Sequence, residues 1–188
     1  MPPSPATSSP ALAALRAATA AQHVQLDAGL PLSREGATAA DYREHLQVLR
    51  GWLHACRPAL EATCPGDAAL LLGWMAADIG PDDAPATPGR ADWAQLPAAW
   101  GVAYVVQGSQ LGGQVLARRL TPSLAPQSTH YLQGRGRETG AHWQGFLRKL
   151  HAALGDDAAA IAIACRAAVQ AFEQLQQAFE ARLSEAAS

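Results

Sequence analysis

The 188-residue chain lacks the alternation of apolar and polar residues that a half-buried β-strand needs over a useful length. Runs of β-branched residues are also few, whereas alanine-rich segments, which favour helix, are frequent. With 49% hydrophobic residues, the chain is long enough to bury the core of one domain. The sequence therefore predicts an all-α protein, folded as a single-domain multi-helix bundle.

Neither an excess of charge nor a multi-residue metal-binding pattern is present. A net charge of -2 gives no electrostatic reason to expect nucleic acid as a partner. Cys56, Cys64 and Cys165 are odd in number and lack metal-ligand spacing, which suits a reducing compartment, and we assign them no role. The six histidines include no His-Glu-x-x-His motif and no i,i+4 pair suited to zinc. Metal chemistry would therefore rest on a lone histidine ligand.

Segments typical of export or membrane insertion are also missing. Residues 1–10 are rich in proline and serine but lack a charged stretch followed by an apolar one, so we expect a disordered tail rather than a signal peptide. The apolar stretch 98–106 is too short to span a bilayer. These features predict a cytoplasmic protein with no membrane association.

What the sequence does contain is helical periodicity. In the first segment Leu15, Thr19 and His23 are among the residues that recur at steps of three and four, and Thr38 can cap the next helix through its hydroxyl. We expect helices over about 11–29, 38–60, 67–79, 97–121, 138–154 and 157–183, with a loop over 81–90 and irregular structure over 121–137. The helical domain spans 11–185.

Three glycines interrupt the apolar helix that follows Pro97. Each of Gly108, Gly112 and Gly113 costs the helix roughly 0.5–1 kcal/mol relative to alanine. Gly108 and Gly112 stand four residues apart and share a face, which leaves a strip of bare backbone. Such a strip admits either another helix, which is the commoner case, or a flat ligand.

His23 occupies a position on the apolar stripe of the first helix. Burial there would favour the neutral imidazole, with a ring nitrogen free to bind a metal. The commoner alternative is a core histidine whose ring nitrogen is hydrogen-bonded to a carbonyl group. The helical pattern alone leaves both interpretations open.

Three segments carry a resemblance to a known family: LRAATAAQHVQLD at 15–27, GSQLGGQVLARR at 108–119 and YLQGRGRETGAHWQGF at 131–146. They resemble bacterial, biliverdin-producing haem oxygenases, especially those associated with bacterial phytochromes. His23 precedes Gly108 by 85 residues, in the order and at the distance that the family shows, and the last helix with Phe172 is similar to the family's closing helix. The resemblance covers most of residues 12–183 and implies a helical bundle of the haem oxygenase type.

The resemblance implies that His23 is the iron ligand and that haem lies between its helix and a distal helix bearing Gly108 and Gly112, with Gly113 beside them. Haem is then both cofactor and substrate, and O2 with reducing electrons cleaves it at a meso carbon to biliverdin, ferrous iron and carbon monoxide. The implied catalytic positions are Gly108, Ser109 and Gly112, with protons delivered through ordered water. Ser109 replaces the aspartate of animal members, and Gln107 replaces the glutamate common in the phytochrome-associated group.

Haem propionates need cations, and arginine pairs well with carboxylates. The resemblance implies Arg16 and Arg148 for this role, with Arg118 or Arg119 as a further candidate, although each arginine is also compatible with a solvated surface charge. Tyr104 and Phe172 are candidates for the pocket wall or for plain core.

The implied partners are a ferredoxin or flavoprotein reductase as electron donor and a bacterial phytochrome as a candidate acceptor of biliverdin. The alternative is a non-catalytic haem-binding or interaction protein on the same helical scaffold. The site of meso cleavage, the physiological reductant and the oligomeric state do not follow from the sequence.

Overall fold

The computed structural model describes residues 9–81 and 89–186, and these residues form helices joined by short turns, with no β-strand among them. The helices are α1 (Pro10–Gly29), α2 (Ala39–Thr63), α3 (Asp67–Ile79), α4 (Ala98–Leu124), the single turn α5 (His130–Gln133), α6 (Thr139–Leu154) and α7 (Ala158–Ala186). The all-α prediction is confirmed for this part of the chain. Residues 1–8 of the expected tail and 82–88 of the expected loop lie outside the described residues.

Capping residues determine where the first two helices begin. The Ser9 hydroxyl accepts a hydrogen bond from the Leu12 amide at 3.3 Å, and Pro10 occupies the first turn of α1, so Pro10 belongs to the helix and not to the expected tail. At α2 the Asp41 amide donates to the Thr38 hydroxyl at 3.2 Å, and the Asp41 carboxylate accepts from the Thr38 amide at 2.7 Å. This reciprocal capping box confirms the predicted start of α2.

Two predicted features of the chain between α4 and α6 are wrong. We expected α4 to end before Pro122, but the helix continues through it to Leu124. The proline lacks the amide that would donate to the carbonyl four residues earlier, and only two residues of the helix follow it. The segment 121–137, expected to be irregular, contains the turn α5 and a short 3-10 helix at Gly136–Glu138.

The bundle is organised around α4, which packs on α7 most extensively and also on α2, α5 and α6. Gly101 permits the close approach of α4 to α7: a methyl group at this position would lie 2.7 Å from the carbonyl carbon of Ala164, and closer still to its oxygen. Residues 98–107 are all buried, whereas from Gly108 onward the helix becomes partly exposed. The first half of α4 is therefore core, and the second half is a wall that the core does not cover.

Among the described helices, one is long and apolar enough to cross a membrane by length and composition alone. It is Ala158–Glu185, the body of α7, with a mean hydropathy of 1.2 over its most apolar window. One face of this helix, including Ala164, Ala168 and Phe172, is buried in the bundle.

Candidate functional site

A cavity of about 430 Å³ opens where the second half of α4 leaves the core. Helices α1 and α4 form two of its walls, and α2, α5, α7 and the short segment after α1 that carries Leu30 and Ser33 contribute the rest. Most of the lining is apolar, and its volume lies in the range of small-molecule and cofactor sites. The lining residues are His23, Leu26, Leu30, Ser33, His45, Leu49, Trp52, Val105, Gly108, Ser109, Gly112, Gly113, Val115, Leu116, Tyr131, Leu132, Phe172, Leu175 and Phe179.

The cavity brings together residues that are far apart in the sequence. His23 lines it from α1, and Gly108, Ser109, Gly112 and Gly113 line it from α4. All three segments that carry the sequence resemblance therefore contribute to one cavity, since Tyr131 and Leu132 of the third segment line it as well.

His23 is exposed rather than buried, which corrects the expectation of burial on the α1 stripe. Its imidazole packs edge-on against the Phe172 ring, with the ring centroids 4.6 Å apart and the planes at 66°. Because it is exposed at the cavity, His23 is not a core histidine. The Phe172 contact limits the orientation of the imidazole and leaves it accessible to a ligand.

The glycines of α4 differ in what a side chain would meet. A methyl group at Gly112 would have no atom within 4 Å, and one at Gly108 would touch the Trp143 ring at an ordinary 3.7 Å. At Gly113 the nearest atom is the Leu132 carbonyl oxygen at 3.5 Å. Close helix packing therefore does not require glycine at Gly108 or Gly112, whereas it does at Gly101, which sequence reasoning missed.

Polar groups beside the glycines make two separate hydrogen bonds. The Ser109 hydroxyl donates to the Val106 carbonyl at 2.8 Å, and Gln110 Nε2 donates to the Tyr131 hydroxyl oxygen at 3.2 Å. Burial raises the pKa of Tyr131 to about 12, an effect that the hydrogen bond from Gln110 and the neighbouring Ser109 hydroxyl only partly offset. Tyr131 is therefore a neutral phenol at physiological pH and can donate its proton in a hydrogen bond. Sequence reasoning did not single it out.

Tyr131 is held in place by the buried carboxylate of Asp78 at the end of α3. Asp78 accepts hydrogen bonds from the Tyr131 amide at 2.8 Å, the His130 amide at 2.8 Å and the Tyr42 hydroxyl at 2.7 Å. Desolvation alone would raise the pKa of Asp78, but these hydrogen bonds, together with one from Ser128, outweigh it and lower the pKa. The carboxylate thus anchors α5 to α2 and α3 in its ionised form.

Gln107 precedes Gly108 but does not line the cavity. It is 4% exposed, its Nε2 donates to Asp67 Oδ2 at 2.6 Å, and its Oε1 lies 3.0 Å from His142 Nε2. Arg135 also binds Asp67, at 2.7 Å. An amide at this position can donate to the Asp67 carboxylate and accept from His142. An ionised glutamate has no proton to donate and would place a second carboxylate beside Asp67. Gln107 therefore ties α4 to α3 and α6 and does not face a ligand.

The four candidate arginines are exposed and lie outside the cavity lining. Arg119 comes nearest, since its guanidinium donates to the carbonyl of Leu32 and, at 3.4 Å, to that of Ser33, which is a lining residue. The assignment of Arg16, Arg118, Arg119 and Arg148 to carboxylate binding stays a prediction. Of the two aromatic candidates, Phe172 lines the cavity, whereas Tyr104 packs on Trp143 with centroids 5.7 Å apart and does not line it.

His45 is a lining residue that sequence reasoning missed. It is 5% exposed, its ring stacks on Phe179 with centroids 5.1 Å apart, and its Nδ1 is buried without a hydrogen-bond partner among the described residues. Burial lowers the pKa of His45 to about 4. The signal was present in the α2 stripe, because His45 stands three residues after Tyr42 and four before Leu49, on the same face.

No protein-family model, curated protein or solved structure matches this chain. The case for any function therefore rests on the residues of the cavity and on the sequence motifs that meet there.

Proposed function

We propose that the protein is a haem oxygenase, which cleaves the porphyrin of haem at a meso carbon with O2 and reducing electrons to give biliverdin, ferrous iron and carbon monoxide. The observation that carries the proposal is the single cavity in which His23 lines one wall and Gly108, Ser109 and Gly112 line another. The two motifs are 85 residues apart in the sequence, and the packing of α1 and α4 on α7 brings them to one cavity.

The cavity residues fit haem in three respects. The lining is mostly apolar, as the porphyrin plane requires. His23 presents an exposed imidazole, a ligand suited to iron. At Gly112 a flat ligand can approach the α4 backbone, because even the position of a β-carbon there is open space.

Each side of the cavity would make its own contribution. His23 would hold the iron, with its ring oriented by Phe172, and the glycines would keep the distal side free of side chains. Bound haem supplies the iron that activates O2 and is itself the substrate. The Tyr131 hydroxyl, held by Gln110, is placed to donate a hydrogen bond to ordered water in the cavity. The Ser109 hydroxyl already donates to Val106, so Ser109 would act as an acceptor.

The remaining requirements concern the cavity mouth and the partners. Arg16, Arg118, Arg119 and Arg148 are the candidates for propionate binding, and Arg119 is favoured by its contact with Ser33. Electrons would come from a ferredoxin or a flavoprotein reductase. A bacterial phytochrome is the candidate acceptor of biliverdin.

Titration with hemin tests the proposal. The wild-type protein should bind one hemin with a Soret band typical of histidine ligation, and His23→Ala should lose that band position while still binding iron-free protoporphyrin IX. His151→Ala is the matched control, since His151 is exposed on α6 and does not line the cavity. An unchanged hemin spectrum in His23→Ala would show that His23 is not the ligand.

A second candidate is a non-catalytic haem-binding protein on the same scaffold. It is favoured by the commitment of the Ser109 hydroxyl proton to a backbone carbonyl, which leaves that side chain no proton to donate in the cavity. Both candidates predict hemin binding through His23, and only turnover of the bound haem separates them.

A further inference from the structure

The lining of the cavity is exposed in part and buried in part. His23, Gly112 and Val115 are exposed, and the exposed fraction of Val115 is 68%. A ligand that fills the cavity therefore has one part near water and another part against the interior of the protein. The lining residues that are buried in the bundle, here called the buried lining, are Leu30, His45, Leu49, Trp52, Val105, Tyr131, Leu132, Phe172, Leu175 and Phe179.

The buried lining carries no charge at neutral pH. Among the described residues that line the cavity there is no lysine, arginine, aspartate or glutamate. Burial lowers the pKa of His45 to about 4 and raises the pKa of Tyr131 to about 12, so both side chains are neutral at pH 7. The Trp52 indole already donates to the Ala171 carbonyl at 2.9 Å. The Tyr131 hydroxyl can donate one neutral hydrogen bond, but no cation accompanies it.

Positive charge is found only outside the buried lining. The Arg119 guanidinium donates to the carbonyl of Ser33 at 3.4 Å, and Ser33 is a half-buried lining residue. Arg118 and Arg119 are both exposed at the end of α4. An anionic group of a ligand can therefore keep its water, or meet an arginine, at the exposed part of the cavity and not at the buried part.

Burial of an ionised carboxylate without a cation is costly, whereas burial of an apolar edge is favourable. Haem has both kinds of edge, because its two propionates stand on neighbouring pyrroles and the opposite edge carries only methyl and vinyl groups. We propose that the buried lining accepts only an uncharged edge, so that the protein selects iron porphyrins with carboxylates on one edge and binds poorly those with carboxylates on all four pyrroles. This inference rests on the proposed haem site and names the class of tetrapyrrole that the site takes.

The test compares three iron porphyrins with the wild-type protein at pH 7, each titrated by its Soret band. Iron mesoporphyrin IX, in which ethyl groups replace the vinyl groups, should bind within about threefold of hemin, because its buried edge is equally apolar. Iron coproporphyrin III, which has a propionate on every pyrrole, should bind at least about 100-fold more weakly than hemin, as expected when a carboxylate is buried without a cation.

Methyl esters separate charge from size. Iron coproporphyrin III tetramethyl ester is bulkier than its parent acid and has no charge, and hemin dimethyl ester is the matched reference. The two esters should bind with affinities within about fivefold of each other, because the apolar lining imposes no charge penalty on either.

A variant pair tests the lining itself. Leu49 is a buried lining residue of α2, and Leu49→Lys adds a cation there, which should strengthen the binding of iron coproporphyrin III about tenfold. Leu49→Met, with an uncharged chain of similar length, should not. Far-UV circular dichroism shows whether each variant is folded, and the porphyrin series on the wild-type protein decides the question if Leu49→Lys does not fold.

The outcomes separate this inference from the proposed function. If iron coproporphyrin III binds as tightly as hemin, or if its tetramethyl ester is disfavoured as strongly as the acid, selection by the uncharged lining is overturned and the haem site stands. Hemin that does not ligate to His23 would contradict the proposed haem site itself. Hemin that binds with the expected selectivity but is not turned over would contradict the oxygenase and leave the selectivity in place.

Discussion

Two glycines of the same helix should respond in opposite directions to the same substitution. Gly112→Ala adds a methyl group where no atom lies within 4 Å, so the change brings only the gain in helix propensity, about 0.8–1 kcal/mol. Gly101→Ala places its methyl 2.7 Å from the Ala164 carbonyl carbon, so α4 and α7 must separate. Overpacking of this kind costs about 1–3 kcal/mol or more, which exceeds the propensity gain.

Urea denaturation of the ligand-free protein measures both changes. We expect the free energy of unfolding to rise in Gly112→Ala by somewhat under 1 kcal/mol, which corresponds to a melting temperature about 2–4 °C higher for a domain of this size. Gly101→Ala should lower it by about 1–2 kcal/mol. The m-values should be unchanged, since neither substitution alters how much surface unfolding exposes.

If Gly112→Ala raises the free energy of unfolding, the native glycine makes the fold less stable than alanine would. Such a loss is expected at a residue that serves a ligand. A larger side chain extends the argument: Gly112→Leu should slow oxygen activation on bound haem more than it weakens hemin uptake. If Gly112→Ala destabilises the protein, or if Gly112→Leu turns haem over at the wild-type rate, the glycine serves packing and the cavity wall has been misassigned.

The remaining predictions concern the buried polar groups around the cavity. Asp78→Asn should lower stability at neutral pH by about 1–3 kcal/mol. Because the pKa of Asp78 is lowered in the folded state, its stabilisation is present above the unfolded-state pKa and is lost as the pH falls through the folded-state pKa. Urea midpoints between pH 7 and pH 3 should therefore fall less steeply in the variant, and equal slopes would argue against an ionised anchor. Gln107→Leu should lower the free energy of unfolding by about 1–3 kcal/mol with an unchanged hemin spectrum, and an altered spectrum would place Gln107 at the ligand after all. His45→Leu should raise the stability of the ligand-free protein by about 1 kcal/mol, because it removes a buried nitrogen without a partner, and a large loss in thermal melts would contradict that reasoning.

Local patterns were sufficient to predict most of the fold. The periodicity around His23 predicted α1, and the hydroxyl of Thr38 predicted the start of α2, because caps and amphipathic stripes depend on residues three or four apart. Pro122 misled the prediction of the α4 end, because the helix continues two residues past the proline that was expected to stop it. Gly101 was missed because its role depends on Ala164, which only the packing of α4 on α7 brings near.

Part of the cavity lining was predicted. The resemblance named His23, Gly108, Ser109, Gly112 and Gly113, all of which line one cavity.

Tyr131 and His45 are among the lining residues that were not predicted. Tyr131 is held at the cavity by the hydrogen bond from its amide to Asp78, and His45 lies on α2, which carries neither His23 nor the glycines. Gln107 stands next to Gly108 in the sequence, but one residue along a helix is a rotation of about 100°, which turns it toward Asp67. Such placements depend on tertiary contacts that no local pattern contains.

A single-turnover experiment tests the central claim most directly. The hemin complex is supplied with ferredoxin, its reductase, NADPH and O2, with catalase present to exclude free hydrogen peroxide, and the absorbance spectrum and released carbon monoxide are followed. We expect the Soret band to disappear while biliverdin and one equivalent of carbon monoxide form, and we expect His23→Ala to form neither. Haem that remains intact after many equivalents of electrons would contradict the account.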